Sequence, residues 1–432
     1  MSTALLTDHY ELTMLDAARR SGRASRRSVF EVFSRRLPGQ RRYGVVAGTA
    51  RLIDEIADFR FGDTELTFLE QREVVGADTL AWLADYEFGG TIRGYAEGEL
   101  YFPHSPILQV EASFAEAVIL ETLILSVLNH DCAVATAASR MVYAAGERPL
   151  IEMGSRRTSE HGAWAAARAA VIAGFGHTSN LEAGRRFGIP TLGTAAHAFT
   201  LLHDSESEAF EAQLATLGQD TTLLIDTYDI ERGVKRAIEA AGPNLGAVRI
   251  DSGDLSVVVR EVRAQLDALG ATSTRIVVTN ELDEFTIAAL GATPVDAYGV
   301  GTAVVTGSGQ PSAGLVYKLV ARENDSGEMV SVQKTSEGKA NAGGEKVAWR
   351  ERRNGIASAE HVSSTGAAPP ESARALLVDY IRDGERVIPA DPVALTENAR
   401  SHHRQVMTEL PPDGFRLTPG EPAIATIISE EN

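Results

Sequence analysis

The sequence holds a single cysteine, Cys132, among 432 residues, which excludes an intrachain disulfide and leaves no cysteine cluster for a metal. Such sparing use of sulfur suits a reducing compartment, and cytoplasm is the expected setting. No targeting leader is expected either, because residues 1–7 show no basic patch ahead of an apolar run. No apolar stretch has the length of a membrane span; the best candidate, residues 117–128, is broken by Glu121 and Thr122. Positive charge is scarce, with 41 Lys and Arg against 59 Asp and Glu and a net charge of -18. Most of the surface would therefore repel a phosphate backbone, so neither nucleic acid nor membrane is an expected partner. A small anionic substrate stays compatible, provided that arginines gather in one locally positive pocket. Repeats and low-complexity tracts are absent too.

What is present is a globular composition, 44% hydrophobic and 23% charged, on a chain long enough for a large core and two domains. Across residues 149–306, short apolar runs alternate with amphipathic stretches, the pattern of strand and helix units. The clearest runs are 223–225, followed by Asp226; 248–250, followed by Asp251; 276–278, followed by Thr279 and Asn280; and 295–298, followed by Gly299. Ile225, Ile250, Val278 and Tyr298 are 25, 28 and 20 residues apart, which fits βα repeats on a parallel sheet. Helices are expected at 230–241 and 255–269, each with a glycine at its close. Runs at 150–153 and 191–192 and a turn at 176–180 extend the series. The expected fold is α/β: an irregular α/β barrel at 111–330, with a second, mixed α+β domain built from 1–110 and 331–432. Within that plan 28–33 and 90–101 read as aromatic-rich strands, 111–145 as helix, 324–350 as strands around turns, and 363–371 as a loop. In either a barrel or an open sheet, ligands sit past the carboxyl ends of the strands, where Asp226, Asp251, Asn280 and Gly299 lie.

Four motifs carry possible chemistry. In Val248-Arg249-Ile250-Asp251-Ser252-Gly253-Asp254 a strand delivers a guanidinium and a carboxylate to one mouth and then turns on glycine into a helix. Arg249 could clamp an anionic group while Asp251 faces hydroxyls or developing positive charge. The two could equally form a structural ion pair with Asp254 as helix cap, and spacing alone leaves both readings open. The glycines of Tyr298-Gly299-Val300-Gly301-Thr302 would let backbone N–H groups approach a phosphate, although a glycine pair often marks only a turn. Gly154-Ser155-Arg156-Arg157 sets two guanidiniums after a strand, suited to an anion or to surface bridges with Glu152 or Glu160. Gly193-Thr194-Ala195-Ala196-His197 offers a histidine that is either a packed ring or a nucleophile and proton carrier. The remaining histidines, among them His104, His130, His203, His402 and His403, show no metal-ligand spacing.

Together these blocks resemble the nicotinate phosphoribosyltransferase family, from Leu6-Thr7-Asp8-His9-Tyr10 to the segment 334–350. In order, the family's signatures resemble Glu152-Met153-Gly154-Ser155-Arg156-Arg157, Gly176-His177-Thr178-Ser179-Asn180, Gly193-Thr194-Ala195-Ala196-His197, Val248 to Asp254 and Tyr298 to Thr302. The resemblance implies that nicotinate and phosphoribosyl pyrophosphate give nicotinate mononucleotide and pyrophosphate, on the salvage route to NAD. It also implies ATP hydrolysis through a phosphorylated His197, and magnesium held mostly by waters and substrate phosphates. Asp251 would then steady positive charge on the ribose, and Arg156 and Arg249 would hold the pyridine carboxylate or a neighbouring phosphate. Arg157, Gly299, Gly301 and Thr302 would take phosphate. Asp8 and Tyr10 match residues that relatives supply from a partner subunit, which makes a homodimer with shared active sites the expected assembly.

The chain departs from the family's usual pattern in places. Met153 stands where many relatives stack a phenylalanine on the ring, and His177 interrupts the commoner Gly-Thr-Ser-Asn form. Gly343 replaces a frequent proline, a change of loop stiffness more than of chemistry. Ser179 separates acid from amide, since related nicotinamide enzymes resemble this block with an aspartate that would repel a carboxylate. The alternatives are a nicotinamide phosphoribosyltransferase, a non-catalytic ligand-binding homologue, and an unrelated phosphate-binding barrel, the last of which would need a lysine or carboxylate base at the strand ends.

Overall fold

The structure, a computed structural model, describes residues 2–334 and 342–429. Of the segment 334–350 that resembles the family, residues 335–341 lie outside the described residues. The chain divides into two compact units, Met1–Thr136 with Gln310–Asn432, and Ala137–Gly309. Among the described residues no helix is long and apolar enough to cross a membrane.

The first unit takes in both ends of the chain. Its seven-stranded sheet runs, edge to edge, Met329–Ser331, Leu315–Glu323, Arg27–Ser34, Leu108–Ser113, Thr91–Tyr95, Leu377–Arg382 and Glu385–Arg386, each pair antiparallel. The interior strand Arg27–Ser34 is buried on both faces after its first residue, where Phe30 stacks on Tyr317 with ring centroids 4.8 Å apart. A second sheet joins Arg374–Ala375, Val347–Arg353, Ile356–Ser363 and Ala425–Ser429. This unit holds buried ion pairs: Lys346 Nζ lies 3.0 Å from Glu31, and Arg350 bridges Glu99 and Glu360.

These bounds differ from the expected 110/111 and 330/331. Strands Leu108–Ser113 and Leu315–Glu323 both pair with Arg27–Ser34, so cutting the chain at either place would split one sheet. Nor is 111–145 one helical stretch. Residues up to Ser113 finish a strand, Ser113 then caps the helix Phe114–Val118 by accepting from Glu116 N, and Glu121–Ala145 follows. Alternating Leu108, Val110 and Ala112 carry the strand's inward face, a period of two that the helical neighbours obscure.

The second unit carries the parallel sheet. Its six strands are ordered His177–Thr178, Leu150–Glu152, Ala297–Val300, Arg275–Val278, Ala247–Ile250 and Thr222–Leu224, every neighbour parallel. Among the described residues the two edge strands do not pair with each other, so the irregular barrel is a curled half-barrel. Ile225, Val248, Ile250, Ile276, Val278 and Tyr298 are fully buried, as the apolar runs require of a sheet covered by crossover helices. Helices Ile230–Ala241 and Leu255–Ala268 follow two of the strands, capped by Asp229 and Asp254, which accept from Arg232 N and Ser256 N. Two readings are corrected. Thr191 makes only an isolated bridge to Thr178. The last strand runs to Val300, because Gly299 and Val300 pair with Ile151 and Glu152; Gly299 is therefore inside the strand and Gly301 is the first residue past it.

Candidate active site

All six parallel strands end on the same side of the sheet, and the turns beyond them bring the polar motifs together. Met153, Arg156, Arg157, Arg249, Asp251, Thr279, Asn280, Glu281, Gly299, Gly301 and Thr302 line one cavity of about 270 Å³. Three guanidiniums thus face two carboxylates in a molecule of net charge -18, which makes this the kind of locally positive pocket that an anion needs.

Glycine is required where the cavity floor is tightest. A Cβ on Gly299 would come within 2.7 Å of both Met153 Sδ and Thr279 Cγ2, closer than carbon tolerates. Gly253 turns the chain after Asp251 with φ +84, a left-handed conformation that suits glycine and feeds the next helix. Glu281, on the cavity wall, holds φ +34, a conformation that costs a non-glycine residue energy and recurs at functional sites.

Arg249 is not spent on an ion pair. Its Nη1 donates to Thr194 Oγ1 at 3.0 Å, and its buried Nε has no partner. Burial pushes the guanidinium's pKa down; Asp251 and Asp226 oppose that, and Arg156 adds to it. Its charge is thus short of compensation, and an incoming anion would supply it. Arg156 and Arg157 stand exposed on the turn after Glu152. That turn is anchored from beneath: Glu152, fully buried, accepts from Gly154 N and from Thr178 Oγ1. Burial raises the Glu152 pKa against the pull of those two donors. Asn180 Nδ2 donates to Ser155 Oγ at 3.0 Å and ties the 176–180 turn to the same place.

Arg156, Arg249 and Met153 also line a second cavity of about 650 Å³ with Ile151, Ser155, Ser179, Leu192, Thr194 and Val277. It is the more apolar of the two spaces, and Ser179 is exposed at its wall. A flat ring with one acidic substituent matches a chamber of this character beside paired guanidiniums.

His197 begins the short helix His197–Leu202. Its Nε2 lies 3.2 Å from Asp226 Oδ1. The other oxygen of Asp226 accepts from Asp251 N at 2.8 Å and from Ser252 Oγ at 2.7 Å, so one buried carboxylate joins the histidine to the Asp251 turn. Asp251 Oδ1 in turn accepts from Thr279 Oγ1 at 2.9 Å. Asp226 and Thr279 were visible in the sequence only as strand-end residues; neither spacing nor residue type gave their partners. Asp254 serves as helix cap, and does not pair with Arg249.

Asp8 and Tyr10 lie in the first unit and line neither cavity. Asp8 precedes the helix His9–Arg20, and Tyr10 is 46% exposed. A further cleft in that unit is lined by Asp16, Arg19, Arg20 and Trp82, with Arg20 paired to Asp16 at 2.8 Å. Among the described residues no group of three or more His, Cys, Asp or Glu is placed to hold a metal ion.

A family model for the N-terminal domain of nicotinate phosphoribosyltransferase matches residues 5–129. The chain is 54% identical over 433 residues to nicotinate phosphoribosyltransferase pncB1 of Mycobacterium tuberculosis, covering 98% of this chain and 94% of that one. It is 38% identical over 345 residues to the nicotinate phosphoribosyltransferase of Bacillus subtilis, across 78% of this chain and 70% of that one. The crystal structure of human nicotinic acid phosphoribosyltransferase superposes with a TM-score of 0.82 at 25% identity, covering 98% and 97% of the two chains. A nicotinate-nucleotide pyrophosphorylase from Pyrococcus furiosus shares the fold, with a TM-score of 0.76 at 24% identity over 92% and 94%.

Proposed function

The chain belongs to the nicotinate phosphoribosyltransferase family, and on that premise we propose that it joins nicotinate to phosphoribosyl pyrophosphate, coupled to ATP hydrolysis, in NAD salvage. The observation that carries this reading is the cavity in which Arg156, Arg157, Arg249 and Asp251 meet the Gly299–Thr302 turn. The pyridine nitrogen's lone pair attacks the anomeric carbon, and the carbon–oxygen bond to pyrophosphate breaks with its electron pair leaving on the pyrophosphate. Positive charge grows on the ribose ring meanwhile, and Asp251 is the carboxylate that steadies it. Arg156 and Arg249 hold the pyridine carboxylate or the neighbouring phosphate; Arg157, Gly301 and Thr302 hold phosphate, with Gly299 keeping the floor open. Met153 packs against the ring, and Ser179 accepts an acid where an aspartate would repel it.

His197 is the nucleophile towards ATP. With Asp226 accepting Nε2–H, the lone pair lies on Nδ1, which attacks the terminal phosphorus as the bond to ADP breaks; hydrolysis later returns the ring. Magnesium suits a cavity with Asp251 and Glu281 on its wall and, among the described residues, no caged site, because the ion keeps waters and substrate oxygens. When bound, it neutralises the pyrophosphate. Tyr10 and Asp8 belong to a homodimer's shared sites, a reading supported by exposed Leu5, Leu6, Tyr10 and Met14 at the chain's start. A cytoplasmic setting fits the lone buried Cys132.

The test is nicotinate mononucleotide formed from nicotinate and phosphoribosyl pyrophosphate, with and without ATP, beside nicotinamide as competitor. Preference for the amide overturns the acid assignment. Acid-labile phosphate retained by His197→Ala overturns the nucleophile.

A further inference from the structure

Thr279 follows the strand Arg275–Val278 directly and stands beside Asp251. Its backbone N–H donates to Ile250 O at 3.1 Å, so the two strand ends stay in register one residue past the sheet. The side chain is pinned on two sides. Its hydroxyl donates to Asp251 Oδ1 at 2.9 Å. Its methyl faces Gly299, where a Cβ would lie 2.7 Å from Thr279 Cγ2. A β-branched residue has few χ1 choices, and here the methyl fills the space at Gly299 while the hydroxyl faces the carboxylate. Asp251 is held at its main chain by Asp226, which accepts its N–H at 2.8 Å. Thr279 adds the hold on the carboxylate itself. Among the described residues Asp251 Oδ2 has no hydrogen-bond partner, and Asp251 lines the cavity.

We propose that Thr279 is a positioning residue for the transfer step: by fixing Asp251 Oδ1 it presents Oδ2 to the ribose ring as positive charge develops there. The proposal rests on the role given to Asp251 above. A carboxylate already aimed at the reacting centre loses nothing to reorientation, whereas one free to rotate must be ordered at each turnover. The effect therefore falls on the transition state, and on kcat, with little change in substrate binding.

Thr279→Val removes the hydroxyl and keeps the shape. We expect kcat for nicotinate mononucleotide synthesis to fall about tenfold, with both KM values within about twofold of the parent. Thr279→Ser should recover most of the lost turnover. In a double-mutant cycle, Thr279→Val should change the residual single-turnover rate of Asp251→Asn by less than about twofold, because the bond has lost its charged partner. A merely structural threonine would give additive losses there. If Val destabilises the site, Thr279→Ser and Thr279→Ala ask the same question, and equal rates in that pair overturn the proposal. Full turnover in Thr279→Val with an inactive Asp251→Asn removes the role of Thr279 alone. Full turnover in Asp251→Asn removes the role of Asp251, and this inference with it.

Discussion

His197 and Asp226 face one another across 3.2 Å, from imidazole Nε2 to carboxylate Oδ1, with the Asp226 side chain entirely buried and the histidine 41% exposed. A buried acceptor at Nε2 selects the tautomer that carries its proton there and leaves the lone pair on Nδ1. On the proposed role of His197, the same carboxylate would stabilise the ring as phosphorylation gives it positive charge.

Asp226→Asn tests that relationship. The amide keeps an oxygen for Asp251 N–H but turns a donor towards Nε2, which favours the opposite tautomer and removes the nucleophilic lone pair. Acid-labile phosphate incorporated from radiolabelled ATP should fall by about tenfold or more. Product formation without ATP should fall less. Labelling at the parent level would show that Asp226 plays no part in choosing the tautomer.

Arg249 supplies the second prediction. Its Nη1 is held by Thr194, and its unpartnered Nε lies on the Nε/Nη2 side, the two-pronged face of a guanidinium that a carboxylate or phosphate oxygen pair meets. Arg249→Lys keeps the charge and loses the fork, so KM for nicotinate or for phosphoribosyl pyrophosphate should rise about tenfold. Steady-state kinetics with each substrate varied in turn will say which. Both KM values unchanged would place Arg249 outside the binding machinery.

The strand-end logic explains how much of this site was legible. Apolar runs closing on Asp226, Asp251 and Asn280 marked the rim of the sheet, because a parallel strand under crossover helices must be apolar until it leaves the core. Order along the chain then identified Arg156 and Arg249. Hidden from the sequence was every contact made across strands: Thr279 to Asp251, Asp226 to His197, Glu152 to Thr178. These depend on which strand lies beside which, and no local spacing encodes that neighbour. Gly299 shows the same limit, since its place inside the strand follows from pairing with Ile151. The unit boundaries were misread for a related reason: Leu315–Glu323 belongs with Arg27–Ser34, nearly three hundred positions earlier.

Gly299→Ala puts a methyl where Met153 Sδ and Thr279 Cγ2 already lie, at 2.7 Å from each. Overpacking of this kind costs about 1–3 kcal/mol. Because both displaced side chains line the cavity, kcat/KM should drop by about tenfold or more while the protein still folds. Pairing the change with Met153→Ala should restore part of the loss. No restoration would mean that the clash at Met153 is not what limits the variant.

Asp131 gives a pH-dependent prediction in the other unit. Burial raises its pKa, but Arg51, with Nη2 3.0 Å from Oδ1, and His130, with Nδ1 2.7 Å from the same oxygen, outweigh this and hold it at about 2. A carboxyl whose folded pKa lies below the ordinary 3.8 binds its proton more readily when unfolded, so it stabilises the fold above about pH 4. That contribution, on the order of 2 kcal/mol, is lost as pH falls from about 4 towards 2. Asp131→Asn should therefore lower the thermal midpoint near neutrality, and the gap to the parent should narrow steadily below about pH 4. A gap that stays constant down to about pH 2.5 would assign the loss to packing around Arg51 and remove charge from the explanation.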